Sequence, residues 1–61
     1  MKTKPEMIAM VENELRNVRD MEKALWENYD AANSDMPCMT ALNYMSDIRS
    51  KLSEVKHILS K

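Results

Sequence analysis

A chain of 61 residues with one cysteine, one histidine and no glycine lacks most of the parts from which small catalytic or metal-binding domains are made. Cys38 alone forms no internal disulfide, and with His57 it cannot complete a four-ligand zinc site. Phosphate-cradling loops and primed hairpin turns need glycines that are missing. The net charge of −1 and an isoelectric point near 5.7 are not those of a typical nucleic-acid binder.

Length allows one domain, residues 1–61, and a chain this short buries only about 60% of its unfolded surface. Small folds of this size usually need a disulfide, a metal or a partner chain. With the first two excluded, association is the remaining support. A lone thiol fits a reducing compartment. No apolar run approaches the ~20 residues of a membrane span. The basic start Met1-Lys2-Thr3-Lys4 leads into no continuous apolar stretch, so no signal peptide is expected. The chain reads as a complete, soluble, cytoplasmic protein.

Thr3-x-x-Glu6 is a capping box with Pro5 in the first turn, so helix 1 is expected from about residue 4 to 30. Ile8, Val11, Leu15, Val18, Leu25 and Tyr29 step by three and four and form one apolar stripe. Glu22 interrupts it. Ala31-Ala32-Asn33-Ser34-Asp35 is the expected turn, because Asn, Ser and Asp side chains bond nearby backbone N–H groups. Asp35 caps helix 2, with Pro37 in its first turn. Helix 2 is expected from about residue 36 to 60. Its stripe is Cys38, Ala41, Met45, Ile48, Leu52, Val55 and Leu59.

The fold class that follows is all-α: an antiparallel, coiled-coil-like two-helix hairpin. Residues whose numbers sum to roughly 67 share a level, so Leu25 faces Ala41 or Leu42, Val18 faces Ile48, Leu15 faces Leu52 and Ile8 faces Leu59. Residues 5–30 carry seven carboxylates against three cations and residues 37–61 two against four. Opposite signs favour their pairing, although exposed pairs contribute little. The apolar arcs are wider than one seam needs. Met7, Met10 and Met21 lie on one flank of helix 1 and Trp26 on the other. Leu42 lies on one flank of helix 2, with Tyr44 and Ile58 on the other. The expected solution is a homodimer forming a four-helix bundle.

Glu22 is expected to pair with Arg49 and to set register or oligomer state, as isolated polar seam residues do. Cys38 sits at a helix N-terminus, a place that favours a thiolate, but is read as a small core residue. His57 is read as a surface residue near the C-terminal carbonyls. Trp26, Tyr29, Met36 and Met39 gather near the turn. They are the candidate partner-binding residues, since Trp and Tyr are favoured at interface centres and Met re-packs readily.

No catalytic set, cofactor or small-molecule substrate is expected. The functional expectation is a non-enzymatic protein–protein interaction module, of the kind found among bacterial and phage regulators and inhibitors, binding a larger protein through helix faces or the turn end. The alternative is a dimeric RNA- or DNA-binding bundle. Arg16 and Arg19 share a face while Lys51 lies on another, so a basic surface would have to be composite. In size and heptad architecture alone the chain resembles the small plasmid RNA-binding helical hairpins, and that resemblance implies such a dimer.

Overall fold

The computed structural model describes residues 1–61 as two antiparallel helices, α1 (Lys4–Glu27) and α2 (Met36–Leu59). A single 3₁₀ turn, Ala31–Asn33, lies in the connection. The hairpin measures 48 × 15 × 15 Å. No strand is present, and neither helix is long and apolar enough to cross a membrane.

Each helix start is fixed by its own cap. Thr3 Oγ1 accepts the Glu6 N–H at 3.3 Å, and the Glu6 carboxylate accepts the Thr3 N–H at 3.4 Å. This reciprocal pair satisfies two N–H groups that the helix cannot. At α2, Asp35 Oδ1 accepts the Cys38 N–H at 3.2 Å. Its other oxygen accepts the Asp30 N–H at 3.4 Å, and Asp30 in turn accepts from the Asn33 side-chain amide at 2.7 Å. Two aspartates therefore knit the loop. Ser34 takes the left-handed conformation at φ 51°, a position that glycine would fill with less strain.

α1 ends at Glu27, three residues short of the expected 30. The cause is Asn28. Its side-chain amide donates to the Ala24 carbonyl at 2.7 Å, and the Tyr29 N–H turns back to the Trp26 carbonyl at 3.3 Å. The Ala24 carbonyl also keeps its helical bond from the Asn28 N–H, but the Trp26 carbonyl, which a continuing helix would give to the Asp30 N–H, is taken by Tyr29 instead.

The seam is best described in heptads abcdefg with a and d facing the partner helix. On α1 and the residues just after it, Ile8, Leu15, Glu22 and Tyr29 occupy a, and Val11, Val18 and Leu25 occupy d. All are buried or half-buried. On α2, Leu42, Arg49 and Lys56 occupy a, and Cys38, Met45, Leu52 and Leu59 occupy d. This corrects the expected helix 2 stripe. Ile48 and Val55 are 44% and 41% exposed, whereas Leu42 is only 5% exposed. α2 is turned so that its cationic a positions meet α1: Arg49 reaches Glu22 and Lys56 reaches Glu12. The wide apolar arc of α2 permits this rotation because Leu42 replaces what Ile48 and Val55 withdraw.

Only Leu15, Val18 and Leu42 are buried, 3 of 61 residues, and none of them is fully shielded from solvent. Leu42→Ala should cost about 2–4 kcal/mol through the lost methyl groups and the cavity left behind. Asp35→Ala should cost about 1 kcal/mol, the usual loss of an N-cap. Urea unfolding followed by circular dichroism checks both. A Leu42→Ala loss no larger than that of Asp35→Ala contradicts the seam.

Candidate interaction surfaces

Three features can act outside the chain: a polar break in the seam, an aromatic and methionine patch at the turn, and two unlike long sides. The polar break is Glu22. Its side chain is 14% exposed, and Oε2 forms an ion pair with Arg49 Nη1 at 3.2 Å. Oε1 is buried and has no partner among the protein groups. The guanidinium therefore meets the carboxylate with one arm, not as a bidentate fork. An unpaired buried oxygen costs roughly 1–3 kcal/mol. The second ion pair, Lys56 to Glu12 at 3.5 Å, is open to solvent and contributes little.

At the turn end, the Trp26 and Tyr29 rings meet edge to face, with centroids 5.7 Å apart and planes at 64°. Trp26 is 57% and Met36 65% exposed, while Tyr29 and Met39 are half-buried. Trp26 and Met39 are both at e. Reversing one helix reverses its sense of rotation, so in an antiparallel pair the e positions of both helices fall on one side and the g positions on the other. Trp26 and Met39 thus share a side, and Met36, at b, lies further round it. Tyr29 is on the seam and supports Trp26 from behind.

The rest of this e/b side is polar. A groove of about 200 Å³ lies there, lined by Glu12, Leu15, Arg16, Arg19 and Lys56. The opposite g/c side is apolar. Met10, Met21, Tyr44, Ile48, Val55 and Ile58 are each 41–66% exposed. The separate flanks of the two helices are legible in the sequence, and the antiparallel arrangement combines them on one side.

Cys38 Sγ donates to the Leu25 carbonyl at 3.0 Å, one of the α1 carbonyls left without a helical partner. Desolvation, then the neighbouring Asp35 carboxylate, pushes the thiol above its ordinary 9.0. The helix N-terminus therefore does not make Cys38 a thiolate at neutral pH. His57 is exposed in the last turn of α2, about 28 Å along the helix from Cys38. No group of three or more His, Cys, Asp or Glu side chains gathers to hold a metal ion. No family model matches the chain, and no curated protein or solved structure does either.

Replacing Glu22 with Leu should raise the thermal midpoint, because it removes the unpaired oxygen and fills a seam position. Arg49→Leu should lower it by stranding the carboxylate. Melting curves by circular dichroism check both signs, and a large loss in Glu22→Leu defeats the assignment. The folded chain holds the Cys38 proton more tightly than the unfolded chain. That contribution is full below the ordinary value of 9.0 and is lost as pH rises through the higher folded value. Iodoacetamide should accordingly alkylate Cys38 more slowly in the folded chain than in urea at the same mildly alkaline pH. Equal rates contradict the shift.

Proposed function

We propose that this chain is a non-enzymatic protein–protein interaction module that binds a larger protein through its turn end. The observation that carries this reading is Trp26. It is the largest side chain in the sequence, yet 57% exposed, and the edge-to-face contact with Tyr29 holds it in place. A preset aromatic loses little conformational freedom on binding and fills a pocket well. Met36 and Met39 extend the patch with adaptable side chains. The action is steric: the turn end occupies a groove on the partner and excludes another occupant. A regulator or inhibitor of the bacterial and phage kind, working in the cytoplasm where the lone thiol stays reduced, is the setting this reading suggests.

A second reading is a composite nucleic-acid surface. The groove with Arg16, Arg19 and Lys56 favours it, since Arg recognises phosphate well. Glu12 on the groove wall and its ion pair with Lys56 count against it.

Binding is measured with a protein captured from the source cells and then purified, using the native chain and a Trp26→Glu, Met39→Lys variant. The variant should keep its helicity and bind at least tenfold more weakly. Native binding should change only a few-fold when salt is raised fourfold. A fall of about 10³-fold or more would instead mark phosphate contacts. Undiminished binding by the folded variant removes the turn end from consideration.

A further inference from the structure

The g/c side is the largest apolar feature of the hairpin, and it lies opposite the turn-end patch and the arginine groove. Glu14 and Lys51 are its only charged residues. We propose that this side docks a second copy of the chain, face to face about a two-fold axis parallel to the helices. The product is a four-helix bundle with both turns at one end and Glu14 of each copy beside Lys51 of the other.

The footprint has the right size. Helices of 24 residues are about 36 Å long, and two helices side by side are roughly 20 Å wide. That gives on the order of 700 Å², close to the ~800 Å² per partner of a standard stable interface. The need is also present. With 3 of 61 residues buried, the hairpin alone has little core, and chains of this size normally find the rest in a partner. Self-docking buries Met10, Met21, Tyr44, Ile48, Val55 and Ile58 together.

Charge then selects the axis. The two ion pairs, Glu12 with Lys56 and Glu22 with Arg49, set the levels of the two helices to within about a turn. Met10 is level with Ile58, Met21 lies within two residues of the level of Ile48, and by the nearer pair, Glu12 with Lys56, Glu14 lies about one turn from the level of Lys51. An axis parallel to the helices lays α1 of one copy over α2 of the other at unchanged level. Met10 then meets Ile58, Met21 meets Ile48, and Glu14 comes within reach of Lys51. An axis across the helices lays α2 on α2, with Lys51 near the middle of the overlap. Two ammonium groups then face each other in an apolar layer, and Glu14 has no cation. Like charges so placed are disfavoured, while the parallel axis pairs all four groups.

Sedimentation equilibrium across a dilution series tests the docking and charge exchange tests the axis. The native chain should reach twice 7.1 kDa. Glu14→Lys and Lys51→Glu should each raise the dimer Kd about tenfold, and the Glu14→Lys, Lys51→Glu double variant should return it to near the native value. A spin label on Ala32→Cys in a Cys38→Ala background reads the geometry directly. Turns at one end put the labels about a bundle width apart, roughly 20 Å. Turns at opposite ends put them near the 48 Å hairpin length. A chain that stays monomeric, including one that dimerises only with a foreign protein, overturns the proposal without touching the turn-end reading. A dimer with long label separation and no rescue by the double variant overturns the axis.

Discussion

The rotation of α2 about its own axis decides what this hairpin shows to its surroundings. α2 has an apolar arc broad enough that several rotations bury similar hydrocarbon. What separates them is where the cations go. With Arg49 and Lys56 turned toward α1, each meets a carboxylate, and Leu42 closes over the seam near the turn. Each ion pair is worth at most about 1 kcal/mol at such exposure. Differences of that size are enough when the competing hydrophobic terms nearly cancel. The same rotation pushes Ile48 and Val55 outward and aligns them with Tyr44 and Ile58.

Two unlike long sides result from that single choice. One carries Arg16 and Arg19 around a shallow groove and ends in Trp26 and Met39. The other is nearly free of charge. A hairpin divided in this way resembles half of a core more than a finished domain. Glu22 fits the same picture. A carboxylate in the seam with one unpaired oxygen weakens the pairing but makes other rotations and registers worse, because only Arg49 is positioned to meet it.

Much of the architecture was legible because it rests on local chemistry. The Thr3 and Glu6 capping box, the Asp35 cap and the tolerated Pro5 and Pro37 are short-range signals, and they set the helix starts. The end of α1 was less legible. Asn28 looks like any polar helix residue until its amide is seen on the Ala24 carbonyl. The α2 seam was misread for another reason. A three-and-four stripe through Ala41, Ile48 and Val55 and one through Leu42, Arg49 and Lys56 overlap in the sequence, and hydrophobicity alone favours the first. Only the charges on α1 choose the second. The turn-end residues were found from composition and position, but their division between seam and surface needed the fold. The Cys38 thiol bond to Leu25 joins residues 13 apart and has no periodic signature.

The loop knitted by Asp30 and Asp35 also bears on how the chain folds. Every seam contact is nested around that one closure, and each layer outward joins residues further apart in sequence. A short loop closes in well under a microsecond, and the layers beyond it then meet with little additional search. Folding therefore proceeds as a zipper from the turn. In the folded protein the order is reversed: the end formed by Ile8 and Leu59, which is held last, opens first, while the turn end keeps its shape through such fraying.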